Sequence, residues 1–216
     1  MKFILIVLLS FVMMSTIAQS GSKFNPSEVK QVLKGFLVTE KHDTLRGTFE
    51  IYTQDLMQLG CQMSDQNGKM LYGNTWNNII TYQIENNTKW FSTKFTTLKA
   101  PTDPKRQGGG TESFLLCEEV GPISLYEYNF VDYKVLPPTS EVKTYMQLPD
   151  GEVVDISSLL LGYVKKMSGY VKDYPELAAK ITNKEKGYGM LNINDVVREY
   201  NTWYMSKNPG FTIFKK

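Results

Sequence analysis

The sequence predicts an α+β protein: an antiparallel β-rich domain of sandwich or barrel-like form, followed by a short three-helix C-terminal segment. Three observations predict it. Short runs of alternating polarity between Val29 and Asp155 are separated by turn signals at roughly ten-residue spacing, the pattern of antiparallel sheets. No helical pattern interrupts those runs, which disfavours a parallel α/β arrangement. After Asp155 the apolar period changes from that of a strand to that of a helix.

The chain opens with Lys2, an apolar run Phe3–Met14, and small or polar residues ending at Ala18. This is the charged head, apolar middle and small-residue exit of a secretory signal peptide. The run is too short for a spanning helix, which needs roughly 20 apolar residues. Cleavage is expected between Ala18 and Gln19, with Ser20 as the nearest rival site. No second run of spanning length follows, so no transmembrane segment is expected in the mature chain. The expected organisation is a leader over 1–18, a flexible start over 19–28, a β-rich domain over 29–155, a helical segment over 156–206 packing on it, and a tail over 207–216.

The strands follow in order. Thr44–Tyr52 alternates cleanly, with Leu45, Gly47, Phe49 and Ile51 on one face. It pairs with Val32–Glu40 through Lys41-His42-Asp43. Asn67-Gly68 marks a second hairpin between Cys61–Asp65 and Lys69–Tyr72, because this dipeptide tolerates positive φ at both central turn positions. Asn78–Glu85 and Lys89–Thr97 flank Asn86-Asn87. Ser113–Glu119 and Ile123–Asp132 flank Gly121-Pro122, and Tyr126, Tyr128 and Phe130 share a face of the latter. Lys143–Leu148 and Glu152–Asp155 turn on Asp150-Gly151.

In the helical part, Leu160, Val164, Met167 and Val171 follow amphipathic spacing. Asp155 or Ser157 can cap that helix. Pro175 opens a second helix carrying Leu177, Ala178 and Ile181. A third runs from about Asn194 to Ser206 on Val196, Tyr200 and Trp203, capped by Asn192 or Asn194.

Composition excludes some roles. The full chain carries 24 Lys and Arg against 22 Asp and Glu, for a net +2. Nucleic-acid binding shows as a basic face, and these lysines are interspersed with acids, so no nucleic-acid partner is expected. Export permits a disulfide between Cys61 and Cys117. Two separate buried thiols are the alternative.

A search for catalytic chemistry assigns no residue and no cofactor. His42 is the single histidine, so paired-histidine metal motifs are absent, and it reads as a turn residue. There is no G-x-S-x-G elbow. Gly108-Gly109-Gly110 lacks the Gly-Lys-Ser/Thr ending of a phosphate loop. Asp65-Gln66-Asn67-Gly68 begins like a calcium loop, but Trp76 stands where the closing glutamate belongs. Glu118, Glu119 and Asp132 are candidates for carboxylate chemistry, which needs a facing partner. Trp76 or Trp90, if exposed, could stack on a sugar; filling a core is the alternative.

The stretches GFLVTEKHDTLRGTFE (Gly35–Glu50), GPISLYEY (Gly121–Tyr128) and DYPELAAKITNKEKGYGMLNINDVVREYNTWY (Asp173–Tyr204) together resemble exported Bacteroidota proteins of unknown function. Those proteins share a leader, a β-rich region opening on a GxLVTxxxDTLxG hairpin, and a helical PELA…YN end. The resemblance implies a Gram-negative envelope location and no particular activity. Such bacteria O-glycosylate Asp-Ser/Thr-apolar triplets, so it also makes Thr44 of Asp43-Thr44-Leu45 an O-glycosylation candidate; a plain turn is the alternative reading.

The functional expectation is an exported, non-enzymatic envelope or secreted protein, periplasmic or released. It would act as an interaction or structural module with an unknown envelope protein or glycan as partner. One alternative is a carboxylate-dependent enzyme on a cell-surface polymer. Another is a small apolar-ligand carrier, with a cavity lined by aromatics such as Tyr126 and Phe130.

Overall fold

A computed structural model describes residues 31–72, 78–85, 88–96, 112–132 and 135–211. The α+β class holds. Among the described residues ten strands form one sheet: β1 (Gln31–Thr39), β2 (Thr44–Ile51), β3 (Met63–Ser64), β4 (Met70–Tyr72), β5 (Ile79–Ile84), β6 (Lys89–Ser92), β7 (Phe114–Glu119), β8 (Ser124–Asp132), β9 (Thr139–Gln147) and β10 (Val153–Asp155). Their order is β10-β9-β8-β7-β6-β5-β1-β2-β3-β4. Every pairing is antiparallel. The strands make one open sheet rather than the two of a sandwich. Both its edges are three-residue strands, β4 and β10, and short edges limit unwanted strand pairing.

The first hairpin forms where alternation predicts it. His42 adopts φ 63° at the turn, and Thr39 closes it by donating from its backbone N–H to the Asp43 carbonyl at 2.9 Å. Gly35 and Gly47 face each other across β1 and β2. A Cβ on Gly35 would sit 2.2 Å from the Gln83 carbonyl oxygen and 2.8 Å from the Phe49 ring, and one on Gly47 would sit 2.3 Å from the Ser64 carbonyl oxygen. The glycines of this hairpin are therefore sites of close backbone approach.

The second hairpin differs from expectation. Only Gly68 has positive φ, at 77°. Asp65 explains this: its Oδ1 accepts from the Asn67 and Lys69 backbone N–H groups at 2.8 and 2.9 Å. The aspartate imposes an Asx turn and the ladder shifts register at Met63 and Ser64. Two further differences matter. β9 begins at Thr139, because the exposed residues 139–142, polar except for Val142, pair with the far end of β8. A single-turn helix, α1 (Gln54–Met57), follows β2; one turn is too short for a periodic signal.

The sheet buries both faces. Phe49, Tyr82, Ile84, Trp90 and Phe114 meet Met57 of α1 in one apolar cluster. Tyr82 is its hub. The ring stacks with Phe49 and Trp90 at 5.6 and 5.8 Å, meets Phe114 edge-on at 4.9 Å, and donates its hydroxyl to the Met57 carbonyl at 2.9 Å. Alternate residues of β6 to β8, namely Phe91, Leu115, Cys117, Tyr126 and Tyr128, form a second cluster on the opposite face. Within it Tyr126 meets Phe91 edge-on and Tyr128 meets Phe130.

A third cluster joins Ile123, Leu125, Met146, Leu148 and Val154 to the C-terminal helices. These are α2 (Tyr163–Tyr170), α3 (Pro175–Thr182) and α4 (Ile193–Lys207), preceded by a 3₁₀ turn over Ile156–Leu159. Asp155 caps that turn, accepting from the Ser157 N–H at 2.8 Å. The buried stripe of the first helix is Tyr163, Met167 and Val171. Leu160, expected in that stripe, lies outside α2 and is 70 % exposed, because Gly162 at φ 92° breaks the chain between the 3₁₀ turn and the helix. Leu177 and Ile181 of α3, and Val196, Val197 and Tyr200 of α4, are buried as their spacing predicts. No helix among the described residues is long and apolar enough to cross a membrane.

Candidate functional site

Two places in the sheet carry buried polar groups with defined partners, and both border β7 and β8. The first is a split between these strands. Their ladder pairs Leu116 with Glu127, Cys117 with Tyr126 and Glu119 with Leu125, leaving Glu118 as a bulge. Beyond the Leu116–Glu127 pair, Gln58 at the end of α1 takes the place of a strand partner. Its side-chain amide donates to the Asn129 carbonyl at 3.0 Å, and its Oε1 accepts from the Asn129 N–H at 2.6 Å. Its own carbonyl accepts from the Phe114 N–H at 2.8 Å and from the Ser113 hydroxyl at 2.9 Å. Gln58 is buried, and its bond from Ser113 is buried with it, while the two bonds to Asn129 are part-buried.

Around this wedge sits a half-buried polar group. Glu127 and Asn129 occupy alternate positions of β8 beside Leu125, on the face opposite the Tyr126–Phe130 aromatic stripe. Burial raises the Glu127 carboxyl above its ordinary range, the negative charge of Glu118 raises it further, and the Gln54 amide opposes the shift. Gln54 Nε2 and Asn129 Oδ1 are buried without a hydrogen-bond partner in good geometry among the described residues. Glu118, the other acidic side chain acting on this group, is exposed at the bulge.

The second place is the clamp between the sheet and α4. Asn201 is fully buried. Its Oδ1 accepts from the Ile123 N–H at 3.0 Å and its Nδ2 donates to the Ile123 carbonyl at 2.7 Å. Gly121 makes room for it, since a Cβ there would meet the Asn201 amide at 2.3 Å. Arg198, one turn earlier, donates to Glu119 at 3.3 Å and to Asp195 at 3.1 Å. Lys180 of α3 bonds Glu199 of α4 at 2.8 Å and the Tyr188 hydroxyl at 2.9 Å, and Tyr200 donates to Asp173 at 3.0 Å. The helices are thus tied to one another and to the β7–β8 turn.

The residues singled out from sequence fall as follows. Glu118 is exposed at the bulge beside Glu127, while Glu119 is held by Arg198. Asp132 ends β8 opposite Thr139, away from the wedge. His42 and Thr44 are exposed at the first hairpin. Trp90 is 3 % exposed and stacked on Tyr82, so it fills core and offers no sugar platform. Tyr126 is buried, donating to Gln147 at 3.3 Å, and Phe130 is half-buried beneath the Lys143 ammonium at 4.8 Å.

Cys61 and Cys117 are free and buried, one in each of two clusters. The disulfide that export permits is not formed. The Cys117 thiol donates to the Glu119 carbonyl at 3.1 Å, and burial pushes the Cys61 thiol up to about 12. Ala18, Gln19, Trp76, Gly108–Gly110 and Asn86-Asn87 lie outside the described residues.

Sequence reasoning missed Gln54, Gln58, Glu127 and Asn129. In β8, Glu127 and Asn129 follow Leu125 on one face, but the aromatics on the other face dominate the pattern. Comparison with family models, with curated proteins and with solved structures returned no match to this chain.

Proposed function

We propose that this chain is an exported, non-enzymatic protein of the cell envelope or its surroundings, working as an interaction module. The leader-like start, Lys2 through Ala18, supports export. The observation that carries the interaction reading is the rigid mounting of apolar side chains in water. Asn201 and Arg198 fix the helical segment to the sheet. That same segment presents Leu160, Leu161 and Leu191 at 70, 88 and 100 % exposure. Large apolar side chains held outward on an ordered scaffold favour a contact surface.

Fractionation of cells producing the chain tests this reading. The expected product is in the envelope or the medium and begins at Gln19. An intact leader on cytosolic protein ends the reading.

One observation favours a second reading, carboxylate-dependent cleavage of a surface polymer: Glu118 and Glu127 act on each other beside the Gln58 wedge. It predicts that the purified chain releases reducing ends or peptides from envelope material, and that Glu127→Gln abolishes the release. Wild-type chain that releases nothing removes it.

A further inference from the structure

We propose that the Leu160-Leu161-Gly162 tip is a membrane-interface contact that inserts its two leucines into the headgroup boundary of an anionic lipid surface. The inference deepens the interaction reading and depends on export only for access to such a surface.

The local structure makes the tip. Leu159 is fully buried under the helical cluster and anchors one side; Tyr163, the first residue of α2, is buried and anchors the other. Between these anchors the chain must turn within three residues, and Gly162 does so at φ 92°. A Cβ built on Gly162 would meet nothing within 4 Å, so the turn stands clear of the body. Leu160 and Leu161 are therefore held outward by a fixed backbone. Leu160 has the spacing of a helix stripe with Val164 and Met167, yet the chain leaves it in water.

Charge selects the occupant. Lys165 and Lys166 are exposed in the first turn of α2. The Lys166 ammonium donates to the Ser158 carbonyl at 2.8 Å, which holds it beside the base of the tip. The one acid in this stretch, Asp155, accepts from the Ser157 N–H and hydroxyl at 2.8 and 2.6 Å, and its charge acts on Tyr145 of β9. Asp150 and Glu152 act on Tyr170, the last residue of α2, at the opposite end of that helix. The N-terminus of α2 adds the positive end of its dipole to the same side. An apolar point with two lysines at its base fits a surface of acyl chains beneath anionic headgroups. A neutral protein groove would take the leucines and make no use of the lysines.

The test places an environment-sensitive fluorophore on Leu161→Cys, with Asn67→Cys on the β3–β4 turn as reference. Native Cys61 and Cys117 are buried and stay unlabelled. The readout is local to the label, so the apolar residues near the amino terminus do not contribute. Vesicles of phosphatidylglycerol and phosphatidylethanolamine should blue-shift the label at 161 and leave the label at 67 unchanged. In vesicle flotation, Leu160→Ser/Leu161→Ser should lower partition more than about tenfold. Lys165→Gln/Lys166→Gln should lower partition to anionic vesicles about tenfold and remove its salt dependence. Both variants change exposed side chains, and circular dichroism checks that they fold. Absence of a shift at 161, or unchanged flotation of the serine variant, overturns the proposal. A shift without vesicles that grows with protein concentration also overturns it and assigns the tip to a second copy of the chain. Cytosolic chain with its leader intact would sink the export reading and leave the vesicle result standing.

Discussion

Two regions of the same sheet solve the same problem with different means. At the β8–β10 end, three helices cover the apolar face, and the amide of Asn201 locks the lid by bonding both backbone groups of Ile123. At the β1–β7 side, a single turn of helix covers the face, and the amide of Gln58 does the corresponding task at Asn129. The helical lid brings its own buried stripes. The short lid brings only Met57, so its stability depends on the aromatic cluster beneath it. The contrast teaches that a polar wedge can replace packing area only where the strands already hold an apolar core.

The largest expected effect follows from that dependence. Phe114 is fully buried and meets Tyr82 edge-on. Phe114→Ala should destabilise the protein by about 3–5 kcal/mol, the range for truncating a buried phenylalanine. Urea unfolding followed by tryptophan fluorescence measures it, since Trp90 lies in the same cluster. A loss below about 1 kcal/mol would mean that the cluster does not support the short lid.

The two amide wedges come next and test the comparison directly. Asn201→Ala leaves the Ile123 N–H and carbonyl buried without partners, at about 1–3 kcal/mol for each unsatisfied group. Gln58→Ala leaves the corresponding groups of Asn129 unpaired. Asn129 is half-buried, water can reach the vacated position, and the cost should be smaller, about 1–2 kcal/mol. Gly121→Ala sharpens the first case. A Cβ there would displace the Asn201 amide, so Gly121→Ala and Asn201→Ala should each destabilise, and the double variant should cost much less than the sum. Additive costs would separate the glycine from the clamp. Equal costs for Asn201→Ala and Gln58→Ala would erase the distinction between the two lids.

Legibility in the sequence follows the same division. The first hairpin is read from alternation alone because one face is apolar along its whole length, Leu45 through Ile51. The helical lid is read from its stripes, Leu177 and Ile181, then Val196 and Tyr200. Leu160 misled because periodicity cannot see a left-handed glycine two residues on. Gln58 and α1 were not legible, because a one-turn helix has no period and a glutamine wedge has no local motif. Its partners lie 71 residues away in the chain. Glu127 was hidden by its neighbours: in β8 the aromatics at 126, 128 and 130 dominate the pattern.

The smallest expected effect is the dependence of stability on pH at Glu127. Burial and the charge of Glu118 raise its carboxyl in the folded chain. A folded value above the unfolded one means that the folded state binds more proton between the two. Stability is then fully present below the ordinary carboxylate value and falls as pH rises through that value to the raised one. Glu127→Gln keeps the shape and removes the charge. It should flatten this decline, leave stability in acid nearly unchanged, and give a modest gain near neutrality, since water reaches the half-buried group and screens it. Thermal melts of the two proteins across the acid range give the difference. A wild-type curve that rises with pH relative to Glu127→Gln would show that the carboxylate, not the acid, is the form that the Gln58 wedge accommodates.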